Sequence, residues 1–465
     1  MTPPTELKKG LKQRHLTMIA IGGVIGAGLF VGSGVVINKT GPAAFLSYLV
    51  TGVLIVLVMR MLGEMATANP STGSFADYSR KALGGWAGFS VAWLYWYFWV
   101  IVVGFEAVAG AKILTFWFDA PLWLLSLGLM VLMTATNLVS VGSYGEFEYW
   151  FAGIKVAAII AFLVLGTLFV LGLWPDRSLD FGKLTNQGGF LPHGVGAIFS
   201  SIVVVIFSMV GAEIATVAAA ESSDPERAIA KATQSVILRV ATFFVGSMFL
   251  LTCIVPWNDT ELGASPYVAA FKAMGIPYAD QVMNAVVLTA VLSCLNSGLY
   301  TASRMLFVLA ARKEAPMRLT NTNGRGVPVW AILASTVVGF LSVVAAYVSP
   351  DTVFTFLLNS SGAVILFVYL LIAISQFVLR RRTPDDQLAV RMWLFPGLTV
   401  LATLGILAVL VQMGLTEDTR SQLLLSLLSW GVVVVAYLVT RARGGSVSPE
   451  EARRTPEPTS PGRGG

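Results

Sequence analysis

The sequence predicts an all-α polytopic membrane protein with twelve transmembrane helices. Hydrophobic residues make up 56% of the 465 residues, and charged residues only 12%. The polar residues separate apolar runs of about twenty residues, the length at which a helix crosses a hydrocarbon core of roughly 30 Å. The predicted spans are residues 15–37, 43–65, 86–116, 122–140, 151–174, 196–220, 234–256, 281–309, 328–348, 353–378, 393–414 and 421–440.

The basic residues predict the orientation of these spans. With the N-terminus inside, 25 of the 31 Lys and Arg residues fall on the inner side and six on the outer side, the asymmetry typical of cytoplasmic loops. Span 1 is too long for a signal-peptide core and has no small-residue cleavage site, so we expect it to remain in the mature protein. We therefore expect a protein of the cell membrane with both termini cytoplasmic. The net charge of +6 is a loop bias and indicates no nucleic-acid partner.

Two interrupted spans suggest an internal repeat. Span 1 contains "GGVIGAG" and span 6 contains "FSMVGAEIAT", five spans later. An odd separation inverts the second unit relative to the first, as in many transporters. The predicted division is a cytoplasmic N-tail (1–14), a first repeat (15–190), a second repeat (191–380), two further spans (381–440) and a disordered cytoplasmic C-tail rich in Pro, Gly and charge (441–465).

The glycines of residues 22–32 allow three interpretations. A nucleotide-binding fingerprint is excluded because no strand precedes it and no acidic residue follows about twenty positions later. Small-xxx-small spacings could instead let two helices pack closely. Alternatively, glycine could let the helix open at Gly26–Gly28 and present bare backbone, which is tolerated at membrane depth only beside a protein cavity. A half-helix starting near Leu29 would then attract a carboxylate, and one ending near Ile21 would attract a cation.

Several motifs together resemble the amino-acid permease family of the amino acid-polyamine-organocation superfamily, from about Leu11 to Arg443. They are "GGVIGAGLFVGSG", the span-2 stretch "TGPAAFLSYLVTGVLIVLVMRMLGEMATANP", "FSMVGAEIATVAAAE" and "NSGLYTASRMLFVLA". Within that family, stretches such as "GSFADYSRKALGGWAG" and "NSSGAVILFVYLLIAISQ" are most similar to γ-aminobutyrate (GABA) permeases. The resemblance implies the leucine-transporter fold, with five plus five helices in inverted repeat and two more appended, and secondary transport of amino acids, commonly with protons.

The resemblance also implies a substrate site at the two breaks. By motif position, Gly26 marks the opening of span 1, and the substrate carboxylate binds the backbone N–H groups of Ala27 and Gly28. The amine binds carbonyl groups near four residues, which are Ile25, Phe207, Ser208 and Val210. Phe207 precedes the span-6 break, where relatives have an aromatic gate, while Asn296 and Ser297 of span 8 line the far wall.

Ionisable residues inside spans are costly and call for a reason. Glu213 is either a helix-terminus carboxylate or a proton carrier linked to the gate; the resemblance favours the second. Lys155 is either a snorkelling lysine or, as in proton-coupled relatives, an ammonium at the place where sodium sits in sodium-coupled ones. Glu106 either bridges to another helix or faces the cavity and meets the substrate's distal ammonium. Glu64 and Arg60, four residues apart, are expected to form a structural pair.

Two other classes of protein are disfavoured. A membrane-embedded enzyme usually needs paired His, Ser-His or Asp residues in the bilayer, whereas His15 and His193 lie at or beyond span ends. Cys253 and Cys294 inside spans indicate neither a disulfide framework nor a metal site, so we expect no metal and no cofactor. A channel would show polar rings or a re-entrant filter. The sequence therefore predicts a proton-coupled amino-acid importer; amino-acid antiport stays open, and the oligomeric state is not indicated.

Overall fold

A computed structural model describes residues 14, 15, 18, 22, 25–71, 73–175, 178–214, 216, 224–259, 262, 265–349, 353, 357, 363–384, 386 and 388–442. These residues form helices joined by turns and loops, and this part of the chain contains no β-strand. Almost all of both predicted tails, namely residues 1–13 and 443–465, lies outside the described residues.

The described α-helices are α1 (Ala27–Phe30), α2 (Gly32–Thr40), α3 (Ala44–Ala68), α4 (Ser74–Leu83), α5 (Gly85–Leu114), α6 (Leu122–Val139), α7 (Val141–Val170), α8 (Gly194–Ser200), α9 (Ile202–Met209), α10 (Pro225–Arg239), α11 (Ser247–Ile254), α12 (Pro266–Ala273), α13 (Ala279–Ala311), α14 (Val329–Val348), α15 (Val364–Arg380), α16 (Gly397–Leu415) and α17 (Glu417–Ala442). A π-helical segment, Val240–Gly246, joins α10 to α11.

Each of the twelve predicted spans has a helical counterpart. Nine segments of the described chain are long and apolar enough to cross a membrane, and two shorter apolar helices, Gly194–Met209 and Val364–Arg380, correspond to spans 6 and 10. One of the nine, Ala27–Ala68, holds both span 1 and span 2. The chain turns between them at Gly41, whose φ of 72° is in the left-handed region that favours glycine. The prediction of an all-α polytopic fold is therefore confirmed.

Several helices extend further into polar sequence than the predicted spans. The span-5 helix begins at Val141 rather than at residue 151, and the span-7 helix begins at Pro225 rather than at residue 234. Asp224 caps that second helix by accepting a hydrogen bond from the Arg227 N–H at 3.3 Å. A hydropathy window ends at a charged residue, whereas a helix ends where its terminal backbone groups find other partners. The short helix α4 was not predicted.

The helices α5 and α13 form the centre of the protein. They pack against each other more extensively than any other pair of described elements, and α13 also contacts α7 and α14. The outer helices α16 and α17 expose large apolar side chains, such as Leu401, Leu404 and Val432, as expected for surfaces that face lipid. The central helices are thus positioned to surround a site, while the last two helices lie outside it.

A buried carboxylate joins three elements on one side of the protein. Glu64 of α3 accepts hydrogen bonds from Gln376 Nε2 and from the Met392 N–H, both at 2.6 Å. Arg380 Nε lies 3.7 Å away. Arg60 makes other contacts, donating to the Arg391 carbonyl at 2.7 Å. Glu64 therefore has a structural role, but its closest partners lie in the loop before α16 and in α15 rather than at Arg60.

Ion pairs attach α4 to the end of α13. Arg80 Nη2 lies 2.7 Å from a carboxylate oxygen of Glu314, and Arg312 pairs with Asp77. Burial raises the pKa of the Glu314 carboxyl, and the nearby guanidinium of Arg80 lowers it. These contacts fix α4 beside the C-terminal end of the central helix α13.

Candidate substrate site

The first helix is interrupted just before α1. Gly26 has extended backbone, with φ −129° and ψ −161°, and the helix resumes at Ala27 rather than near Leu29. The predicted end of the preceding half-helix, near Ile21, lies outside the described residues. A methyl group on Gly22 would lie 2.5 Å from Ala152 Cβ of α7, so Gly22 permits close helix packing. Within the glycine segment, Gly22 therefore permits helix packing, whereas the helix is interrupted at Gly26.

The second break follows α9. The helix ends at Met209, Val210 is extended, and Gly211 has φ 112°, a conformation that favours glycine. The Glu213 carboxylate accepts from the Gly211 N–H with both oxygens at 3.2 Å, from Tyr95 Oη at 3.0 Å and from Tyr369 Oη at 3.2 Å. Glu213 therefore connects the break to α5 and α15, with both of its oxygens occupied as acceptors.

The two breaks touch each other. Ser208 Oγ donates to the Gly28 carbonyl at 2.9 Å, and a methyl group on Gly28 would lie only 2.7 Å from Ser208 Cα. Since nonbonded carbon atoms normally approach to about 3.5–4.0 Å, only glycine fits at this crossing. By contrast, the nearest atom to a methyl group on Gly32 would be 3.8 Å away.

A small cavity lies between these breaks and the central helices. Its volume is about 20 Å³, which holds little more than one water molecule. The residues that line it are Gly26, Gly28, Phe98, Trp99, Val102, Glu106, Phe207, Ser208, Val210 and Cys294. The walls must therefore move apart before an amino acid can bind there.

Glu106 is the acidic group of this cavity. Its side chain is 2% exposed, and its Oε2 atom has no hydrogen-bond partner among the described residues. A methyl group on Gly26 would lie 3.2 Å from Glu106 Oε1 and 3.1 Å from Cys294 Sγ, so both side chains face the opening of helix 1. A buried carboxylate oxygen without a donor is costly, and a ligand ammonium would satisfy it.

Lys155 lies behind the first break and not in the cavity. Its ammonium donates to the Ile25 carbonyl at 2.8 Å and to Ser293 Oγ at 2.7 Å. Glu148 of the same helix lies 3.9 Å from Lys155 Nζ and accepts from Ser293 Oγ at 2.6 Å. All three side chains are fully buried, so Lys155 does not snorkel to a membrane surface.

Four residues predicted for the site are not among those that line the cavity, namely Ile25, Ala27, Asn296 and Ser297. Ala27 is buried in an apolar cluster with Phe105, and half-buried Phe207 packs edge-on to Phe105 with a centroid separation of 5.2 Å. Asn296 Oδ1 accepts from Asn137 Nδ2 at 2.8 Å, and Ser297 Oγ lies 3.5 Å from Tyr144 Oη.

Sequence reasoning missed four of the lining residues, Phe98, Trp99, Val102 and Cys294. The first three could have been found by counting back from Glu106 in steps of four or seven, because such positions share a helix face. Cys294 carried no comparable signal. Glu148 was also missed, although it lies seven positions before Lys155 and therefore on the same face.

Two interrupted helices that meet at a buried cavity, in an all-helical protein of the membrane, define a secondary transporter. The sequence pattern of the amino acid permease family matches residues 15–444. The chain therefore belongs to the amino acid permease family, which has the leucine-transporter fold.

Individual relatives match most of the chain. It is 52% identical to the gamma-aminobutyric acid permease of Bacillus subtilis over 94% of both chains. It is 50% identical to a probable GABA permease of Pseudomonas aeruginosa over 90% of this chain and 89% of the relative. An aromatic amino acid transport protein of Corynebacterium glutamicum is 40% identical over 93% of this chain and 95% of its own. The protein is an amino-acid transporter of the membrane and not an enzyme.

Proposed function

We propose that the protein imports GABA, or a closely related small amino acid, by proton symport and alternating access. The observation that carries the choice of substrate is the identity of about half of all residues with relatives named as GABA permeases. The cavity is consistent with this choice, because it combines exposed backbone at two helix breaks with one buried carboxylate whose Oε2 atom has no partner in the described chain.

In this proposal the substrate lies between the two breaks. Its carboxylate binds the N–H groups of Ala27 and Gly28, where the helix that resumes at Ala27 directs a positive dipole end toward it. Its ammonium binds Glu106. The ammonium also donates hydrogen bonds to carbonyl groups near Ile25 at the first break and near Phe207, Ser208 and Val210 at the second. Asn296, hydrogen-bonded to Asn137, supports the wall behind Cys294.

Two buried groups couple the substrate to protons in this proposal. Lys155 holds the Ile25 carbonyl, directly beside the opening of helix 1, so loss of its proton would weaken that contact. Glu213 holds the second break through Gly211, so protonation of its carboxylate would release the gate. In proton-coupled relatives a span-5 lysine stands where sodium binds in sodium-coupled ones, and the resemblance of Lys155 to that lysine favours protons as the driving ion.

The proposal also covers the orientation of the chain in the membrane and the inverted repeat of its helices. Both termini are cytoplasmic, in a cell membrane, as the distribution of Lys and Arg favours. Residues 15–190 and 191–380 form the inverted repeats, with the breaks of spans 1 and 6 at equivalent positions. Exchange of one amino acid for another is the alternative mode. An α-amino acid is the alternative substrate, which the 40% identity to an aromatic amino acid transport protein favours.

The test is uptake by purified protein in liposomes, with a panel of labelled amino acids under an imposed pH or sodium gradient. We expect GABA to accumulate under an inward proton gradient. Failure to take up any amino acid under either gradient would refute the proposal. Uptake driven by sodium instead of protons would refute the proton symport, including the roles of Lys155 and Glu213, and would leave amino-acid import standing.

The role of Glu106 has a narrower test. Glu106→Gln keeps the shape of the side chain and removes its charge, so the preference among substrates should change by about tenfold or more while the thermal unfolding midpoint stays close to that of the wild type. Glu417→Gln, on an exposed residue of α17, is the matched control and should leave the ranking unchanged. An unchanged ranking in Glu106→Gln would assign Glu106 a structural role.

A further inference from the structure

A chain of hydrogen bonds connects two buried charges beside the first helix break. Lys155 Nζ donates to Ser293 Oγ at 2.7 Å, and Ser293 Oγ donates to Glu148 Oε1 at 2.6 Å. The direct distance between Nζ and Oε1 is 3.9 Å. Both donors point the same way, from lysine through serine to glutamate, which is the polarity required for proton transfer in that direction.

We propose that Glu148 receives the transported proton from Lys155 through the Ser293 hydroxyl and passes it toward the cytoplasm. This inference rests on the proposed proton symport. In the transfer, an N–H bond of the Lys155 ammonium breaks as its proton binds Ser293 Oγ, while the original Ser293 proton forms an O–H bond to Glu148 Oε1. The serine ends as a hydroxyl, the lysine as a neutral amine and the glutamate as a carboxylic acid, so the total charge is unchanged.

Glu148 and Glu213 differ in the hydrogen bonds that their carboxylate oxygens accept. Both oxygens of Glu213 accept hydrogen bonds from backbone or tyrosine donors. Glu148 Oε2 has no hydrogen-bond partner among the described residues. The Ser293 proton binds Oε1, and no donor in the described chain holds Oε2, so the neutral acid forms without displacing a donor from that second oxygen.

The proton groups and the substrate groups meet on one turn of α13. Ser293 contacts Lys155 and Glu148, whereas its neighbour Cys294 lines the cavity beside Glu106. A substrate ammonium at Glu106 would therefore act one residue along α13 from the contact between Lys155 and Ser293.

The position of Glu148 along α7 gives the transfer a direction. Glu148 precedes Lys155 by seven residues, which is about 10 Å of helix. In the proposed orientation the start of α7 faces the cytoplasm, and exposed Glu146, whose side chain is 44% accessible, lies one half-turn beyond. The proton would thus move from the helix break toward the inner surface.

The test compares driven transport with exchange in liposomes. Glu148→Gln should lower GABA accumulation under an inward proton gradient by about tenfold or more, and should abolish the internal acidification reported by a trapped pH dye. Counterflow, in which internal unlabelled GABA exchanges for external label at equal pH, needs no net proton transfer. It should stay within about threefold of the wild type.

Three further variants complete the design. Ser293→Ala should lower driven uptake in the same way but less severely, since Lys155 and Glu148 can still exchange a proton directly or through water. Glu148→Asp should restore driven uptake in part, with a shifted pH profile. Glu417→Gln, with the same charge change on an exposed helix, should behave as the wild type.

Two results would overturn the inference. One is Glu148→Gln that retains gradient-driven accumulation and acidification within about twofold. The other is that both Glu148→Gln and Glu148→Asp lose counterflow as well as driven uptake. Glu148 would then be needed for substrate movement itself and not for proton transfer alone. A wild-type protein that shows no proton-driven uptake would instead refute the proposed function, independently of any variant.

Discussion

A single methyl group at the crossing of the two breaks should impair transport. In Gly28→Ala the new Cβ would lie 2.7 Å from Ser208 Cα and 3.1 Å from Ser208 Oγ. Because carbon atoms normally approach to about 3.5–4.0 Å, the second break would have to move away by about 1 Å. Overpacking of this kind costs about 1–3 kcal/mol, which corresponds to a factor of about 5 to 150 in an equilibrium between open and closed forms.

The assay is the initial rate of labelled GABA uptake in liposomes, measured beside the thermal unfolding midpoint in detergent. Gly32→Ala is the matched control, since its methyl group would meet no atom closer than 3.8 Å. Both variants add one methyl group to a helical glycine, and only Gly28→Ala brings that group into close contact with the second break. If Gly28→Ala transports within about twofold of Gly32→Ala and unfolds at the same temperature, the close approach of the breaks is not a functional constraint.

Two further predictions concern stability and follow from buried charges. Glu64→Ala removes the acceptor of two buried donors and should lower the free energy of unfolding by about 2–4 kcal/mol, read as a lower unfolding midpoint than that of the exposed Glu417→Ala. Arg80→Ala leaves Glu314 without the guanidinium 2.7 Å away. Burial raises the pKa of Glu314 and Arg80 lowers it. The destabilisation should therefore be largest near neutral pH and be lost as the pH falls and Glu314 binds a proton; a loss that stays constant with pH would contradict this.

The transmembrane spans could be predicted from the sequence because hydropathy depends on local composition. It also located the two breaks, since small residues interrupting apolar runs at positions five spans apart are visible without coordinates. Glu106 and Lys155 were noticeable because charge is rare in such runs. Each of these signals is carried by residues close together in the chain.

What the sequence could not supply depends on contacts between distant helices. Glu148 lay outside the predicted span 5 because its own charge shifted the hydropathy window to residue 151, although the helix begins at Val141. The tyrosine partners of Glu213 come from α5 and α15, more than a hundred residues away on either side. Cys294 resembles any small apolar residue of a packed helix until the cavity is seen.

The cavity of about 20 Å³ is too small for an amino acid, so in the proposed cycle its walls must open and then close again around the substrate. A transporter of alternating access must close around its cargo before it opens on the other side, so the aromatic walls at Phe98, Trp99 and Phe207 set the largest molecule over which closure can be completed. In the proposed site, a bulkier amino acid whose ammonium reached Glu106 would prevent closure and leave by the side from which it came. Such a compound would inhibit transport competitively without being carried.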